Sequence, residues 1–177
     1  MQTQTASEDA LRLWTPSFLV LILAGFANFF SQGVVAPLLP RYVKDELGGT
    51  DLVVGIVVAL VAVSAILVRP GAAGLSDRRG RRLLVVVGAA ISAVSILGYA
   101  IVPSLFVLVP ARLLTGVGQA LYFTGAATMV TELAPESRRG EAVSFFSVAV
   151  YLGTGVGPAL GESIQQSRSI AWGFVAA

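Results

Sequence analysis

Residues 74–82 read "GLSDRRGRR": Arg78, Arg79, Arg81, Arg82 and one carboxylate, Asp77, stand within nine positions. Leu52–Val68 precedes this knot of charge and Leu83–Val102 follows it, and neither carries a charged residue. A membrane-crossing helix needs about 20 mostly apolar residues. Two such runs separated by a few polar positions read as a pair of membrane helices joined by a very short loop. Gly80 sits where that loop must reverse, and glycine reaches the backbone conformations a tight reversal demands.

The same pattern extends outward. Phe18–Leu39 is free of charge, with Pro16, Pro37 and Pro40 marking its ends. Leu105–Leu133 is a long apolar run with Arg112 inside it and Glu132 near its end, and Ala142–Leu160 is again charge-free. Ile170–Ala177 starts a sixth run with Trp172 near its beginning. Eight helical residues cover only about 12 Å, so the chain is expected to stop part-way through a sixth helix. Hydrophobic residues make up 55% of the chain and charged residues 12%, with a mean hydropathy of +0.82. Soluble domains carry roughly 25% charged residues. The expected fold is therefore an all-α polytopic membrane helix bundle. Its spans lie at about 18–39, 52–68, 83–102, 105–133 and 142–160, with a partial span at 170–177. Residues 1–17, which open "MQTQTASEDALRLW", read as a cytoplasmic tail, and Trp14 belongs at the interface.

Lysine and arginine in the connections set the orientation. Arg12, Arg69, the four arginines of 78–82, Arg138 and Arg139 fall on one side; Arg41, Lys44 and Arg168 fall on the other. The arginine-rich side, with the N-terminus, is expected in the cytoplasm of a cell membrane. The sequence contains no cysteine and no histidine, so thiol chemistry, disulfides and the commonest metal ligands are excluded. No G-x-x-x-x-G-K-[ST] string is present, so nucleotide hydrolysis is not expected. The chain calls for no cofactor, no metal and no nucleic-acid partner, and it has no nucleophile with a visible base, so an enzyme is not expected.

Polar residues inside the spans fall on faces. Arg112, Thr115, Gln119 and Tyr122 recur at i, i+3, i+7 and i+10, one side of a helix. An arginine within a membrane costs about 2.5–3.5 kcal/mol on insertion scales and usually faces a bundle interior or a water cavity; snorkelling to the nearer interface is the alternative. In the first span, Asn28, Ser31 and Gln32 share a face and would either line a cavity with that stripe or hold helices together. In the fifth, Gly153, Gly157 and Gly161 form a ridge four residues apart with Pro158 beside it, a pattern that lets helices approach closely.

These motifs, in this order on these helices, resemble the major facilitator superfamily of secondary transporters. Leu75, Ser76, Asp77, Arg78, Gly80, Arg81 and Arg82 match the superfamily's loop pattern G-x-L-a-D-r-x-G-r-r, with Ala73 in place of the first glycine. Arg112, Gly116 and Gly118 match R-x-x-x-G-x-G. Gly153, Gly157, Pro158 and Gly161 match the antiporter pattern g-x-x-x-G-P-x-x-G-g, with Glu162 in place of the last glycine. The resemblance implies the N-terminal six-helix half of a drug or metabolite:proton antiporter, truncated in helix six. Asp77, Arg78, Gly80, Arg81 and Arg82 would form a conformational latch. Asn28, Gln32, Arg112, Thr115, Gln119 and Tyr122 would line the substrate cavity, with Arg112 in ion coupling. The glycine ridge would pack against a missing C-terminal half-domain. The expected partners are a small lipophilic or drug-like substrate, protons and the lipid bilayer. The alternative is a truncated or accessory membrane subunit without transport activity of its own.

Overall fold

The computed structural model describes residues 13–99 and 104–167, with side chains to residue 163. Those residues form five long helices and no strand: α1 (Pro16–Arg41), α2 (Asp51–Arg79), α3 (Arg81–Tyr99), α4 (Leu105–Leu133) and α5 (Arg139–Ser167). All five are long and apolar enough to cross a membrane. The segments 1–12 and 170–177, read above as most of the tail and as a partial sixth span, lie outside the described residues.

Local chemistry sets the helix ends. The Thr15 hydroxyl accepts from the Phe18 amide at 3.2 Å and Pro16 occupies the first turn of α1, where its missing N–H costs nothing. Pro37 and Pro40 lie near the other end and withdraw donors from the ladder. There the helix widens into a π-helical turn, Tyr42–Glu46, before Thr50 caps α2. Gly80 alone separates α2 from α3, with φ of +85°, a conformation that favours glycine.

The spans differ from the sequence reading chiefly in α2. It continues eleven residues beyond Val68, through Pro70 to Arg79, so Arg69 and Asp77–Arg79 are helical and not loop residues. Pro70 lies inside this helix, as proline does more often in membrane helices than in soluble ones.

Two elements organise the bundle. α4 lies between α2 and α3 and packs along both, while α5 packs along α1. One apolar cluster holds the end opposite the arginines, around Leu38, Val43, Val57, Tyr99 and Leu108. Another holds the arginine-rich end, around Phe18, Tyr122, Val130, Ala142 and Phe146. Outside these clusters the surface is apolar: Val63, Ile66 and Leu67 on α2 are exposed, the last at 75%. Such a surface suits acyl chains and not water.

Candidate functional site: buried polar groups on helix α4

Arg112 points inward. It is 7% exposed; its Nε donates to the Val57 carbonyl at 3.2 Å and its Nη1 to the Tyr99 hydroxyl at 3.4 Å. The guanidinium also stands over the Tyr99 ring at 5.6 Å. Arg112 thus joins α4 to both α2 and α3 and does not snorkel. Thr115, fully buried one turn on, donates to the Ala111 carbonyl at 3.0 Å and shares a hydrogen bond with the Tyr99 hydroxyl. These contacts fix a direction. Because Thr115 gives its proton to Ala111, Tyr99 must donate to Thr115, which leaves the phenol oxygen's lone pairs for Arg112. Every partner of the cation is neutral, and among the described residues no carboxylate pairs with it.

The two glycines after Arg112 serve two neighbours. A Cβ on Gly116 would collide with Ser64 and the Val61 carbonyl of α2; one on Gly118 would stand 2.6 Å from the Ser92 hydroxyl and 2.8 Å from its amide on α3. Gly88 of α3 lies against the backbone of α4 at Gly118 and Tyr122. The G-x-G spacing therefore makes α4 thin on two sides at once, which brings Val57 and Tyr99 within reach of Arg112.

The α5 ridge has a partner within the chain. A Cβ at Gly153 would lie 2.7 Å from the Phe26 carbonyl, one at Gly157 would lie 2.6 Å from the Phe30 carbonyl, and Gly161 abuts the Val34 carbonyl. Gly33 of α1 answers Gly157, and Gly25 receives the Phe146 ring. The ridge, expected to meet a second half-domain, packs on α1 instead. Pro158 lies on the same helix beside Gly157.

The residues expected around one cavity are distributed over separate places. Asn28 and Tyr122 line a groove of about 710 Å³ between α1, α3 and α4, with Ser31, Ser92 and, at the arginine-rich end, Arg82. Arg112 and Thr115 form the network with Tyr99 and do not line it. Gln119 is half-buried and lines no described cavity. Asn28 Nδ2, Gln32 Nε2, Ser92 Oγ and the Tyr122 hydroxyl are buried without a hydrogen-bond partner, an expensive condition in apolar surroundings. A smaller cleft of about 170 Å³ opens on the other side of α4, against α5, lined by Phe123, Phe146 and Tyr151 among others. Sequence reasoning passed over Tyr99, Ser92 and Gly88. A tyrosine at the end of an apolar run carries little signal by itself; a glycine and a serine four apart on α3 were the available hint.

At the arginine-rich end, Arg81 pairs with Glu132 of α4 at 2.7 Å. Asp77, Arg78, Arg79 and Arg82 are exposed, and none of them forms an ion pair among the described residues. The arginine of this turn that finds a carboxylate is Arg81. No group of three or more His, Cys, Asp or Glu that could hold a metal occurs among the described residues.

Comparison with known proteins agrees with this architecture. Residues 21–177 match the Major Facilitator Superfamily. The quinolone resistance protein NorA of Staphylococcus aureus is 29% identical over 143 residues, which is 80% of this chain and 36% of that protein. An uncharacterized MFS-type transporter of Methanocaldococcus jannaschii is 29% identical over 155 residues, 88% of this chain and 40% of its own length. The chain thus spans about two-fifths of the length of these relatives. With a match over nearly its whole length, and five helices long and apolar enough to cross a membrane that meet at the motif glycines of α4 and α5, this multi-pass membrane chain belongs to the Major Facilitator Superfamily.

Proposed function

We infer that the chain is the N-terminal half-bundle of a secondary transporter that exports a small lipophilic or drug-like molecule across the cell membrane by alternating access, coupled to protons in the intact protein. Superfamily membership makes it a transporter component and not an enzyme. Similarity to a protein named for quinolone resistance supports export, since removing the compound is how a transporter would confer resistance.

The observation that carries coupling is Arg112, a buried cation held only by neutral groups. A charge so placed responds strongly to any proton or ligand charge brought near it, because the surrounding dielectric is low. The exposed Asp77, Arg78, Arg79 and Arg82 at the α2–α3 turn support the latch reading: charges without an ion-pair partner among the described residues can dock on a second half-bundle in one state and release it in the other, while Arg81 is held by Glu132. In this reading the arginine-rich end faces the cytoplasm and substrate binds near the bilayer midplane between two halves.

The test is drug or dye accumulation in cells producing the polypeptide at the length its gene specifies. Wild type should lower accumulation, a protonophore should abolish the effect, and Arg112→Ala should match the vector control at equal membrane abundance. Accumulation equal to the control with wild-type protein present refutes the transport reading; unchanged export by Arg112→Ala refutes the role of that arginine.

A further inference from the structure

Arg69 is a membrane-depth cation that the motifs do not account for. It lies ten residues before α2 ends at Arg79, about 15 Å along the axis at 1.5 Å per residue. That is about half the thickness of a bilayer's hydrocarbon core. Its guanidinium carbon stands 5.8 Å from the centre of the Phe123 ring on α4, and Phe123 is itself ten residues from its helix end at Leu133. The charge therefore stays at depth instead of reaching back to the arginine-rich end. The face of an aromatic ring attracts a cation but does not supply the charge that would neutralise it. Arg69 is exposed, and no carboxylate pairs with it among the described residues. Arg112 shows the other solution, burial among carbonyl and hydroxyl acceptors.

Arg69 also stands in a row. Gly55, Ala59, Ala62, Ile66, Arg69 and Ala73 follow one another three or four residues apart along α2, and every one is exposed. The buried residues of α2 are others, among them Val57, Ala65 and Ala72. Spacing of three and four keeps one side of a helix turned toward a partner helix that crosses it at a shallow angle. Glycine and alanine on that side let two membrane helices come close, and a Cβ on Gly55 would meet nothing within 4 Å. The row ends at Asp77, in the turn that the latch reading sets against a second half-bundle.

The chemistry of the row selects its occupant. Acyl chains can cover glycine and alanine but leave the cation unneutralised, and lipid phosphates lie at the helix ends, about 15 Å from Arg69. A second copy of this chain brings no acid to that level: the acids of the described helices, Asp51, Asp77, Glu132, Glu141 and Glu162, all lie at or near helix ends. Ionisable residues within a membrane pair with one another, so the missing carboxylate belongs to a helix outside this sequence.

We propose that the Gly55–Ala73 row of α2 is the seat of a membrane helix of the second half-bundle, and that this helix carries an Asp or Glu that pairs with Arg69 inside the bilayer. The assignment rests on the transport reading above and names the chemistry of the partner which that reading requires.

Photo-cross-linking in native membranes makes the test. Ile66, the largest apolar side chain of the row, is replaced by p-benzoylphenylalanine in the polypeptide at the length its gene specifies. Irradiation, digestion and mass spectrometry should find an adduct with an apolar stretch that follows residue 177 in the same polypeptide and contains an Asp or Glu. Arg69→Glu should lower the adduct yield about tenfold, because like charges across a desolvated contact repel strongly. Changing the acid of the linked stretch to Arg in the Arg69→Glu background should restore the yield. Where Arg69→Glu does not accumulate in the membrane, the swapped pair decides: its accumulation with the adduct supports the seat and its absence overturns it. Adducts with lipid only, no adduct, an adduct joining two copies, a linked stretch without an acid, or an unchanged yield in Arg69→Glu each overturn the proposal. The cross-link reads helix contact and needs no transport. An adduct that obeys the charge swap without efflux in cells keeps the seat and removes transport, and efflux with lipid adducts alone keeps transport and removes the seat.

Discussion

Gly157→Ala tests the packing logic of the bundle at an α1–α5 contact where backbone meets backbone. The added methyl carbon would sit 2.6 Å from the Phe30 carbonyl oxygen and 2.7 Å from two backbone carbons of Gly33. All three atoms are backbone, so no rotamer change relieves them. Restoring an ordinary contact of 3.4 Å requires the helices to part by 3.4 minus 2.6, or 0.8 Å. A gap of 0.5–1 Å forfeits roughly a quarter to a half of each dispersion contact, and it would be felt at Gly153 and Gly161 on the same ridge. Overpacking costs about 1–3 kcal/mol, and the better helix propensity of alanine returns up to about 1 kcal/mol. Gly155→Ala, on the same helix, is the control: nothing lies within 4 Å of its Cβ position, so only the propensity gain remains. The two variants should differ by about 2 kcal/mol, or about 4–8 °C in Tm for a chain of this size. Thermal unfolding of the detergent-solubilised protein, followed by monodisperse fraction on size exclusion, reads the difference. Equal Tm values for the two variants would refute the claim that α1 and α5 are held at backbone contact by this ridge.

Two further substitutions probe other points. Gly80→Ala places a side chain at φ of +85°, which costs about 1–2 kcal/mol, and should lower Tm although open space surrounds the position; an unchanged Tm would mean the turn relaxes to negative φ. Tyr99→Phe removes the acceptor of Arg112 and the donor to Thr115, leaves a buried donor of Arg112 short of its partner, and should cost about 1–3 kcal/mol. Tm measured beside Thr115→Val, which removes the bonds to Tyr99 and to the Ala111 carbonyl but leaves Arg112 its phenol acceptor, checks the ranking: the tyrosine change should be the more damaging.

The fold was legible because membrane helices announce themselves by composition. Phe18–Leu39, Leu105–Leu133 and Ala142–Leu160 each lie within a helix of the structure, since apolar length alone decides the span. The α2 boundary was not legible. Arg69 and Pro70 look like the end of a helix on charge and on helix-breaking rules, yet α2 runs on to Arg79. Packing against Phe123 gives the arginine a local partner, and that contact lies more than fifty residues away in sequence. The polar stripe on α4 failed as a guide to one cavity for a related reason. Helical periodicity places Arg112, Thr115, Gln119 and Tyr122 on one side, but that side is wide enough to meet several neighbours. Tyr99 and Val57 capture its outer end, and the α1–α3 groove takes Tyr122. Which neighbour meets which turn is decided by Gly116, Gly118 and Gly88, whose significance appears only when the helices are assembled.

The small residues also explain why charge can reside so deep. Arg112 can donate to a backbone carbonyl of another helix only if that helix comes within about 3 Å of its guanidinium. Ordinary helix axes stay 8–10 Å apart, and side chains at the contact set the distance. Gly116 removes the side chain that would hold α2 away from α4, and Gly118 with Gly88 does the same for α3. The motif R-x-x-x-G-x-G is thus a single physical unit: a cation, and the two bare positions that bring its neutral ligands to it. On this argument a methyl at Gly116 would weaken the Arg112–Val57 bond as surely as changing Arg112 would, because it moves the carbonyl and leaves the cation in place.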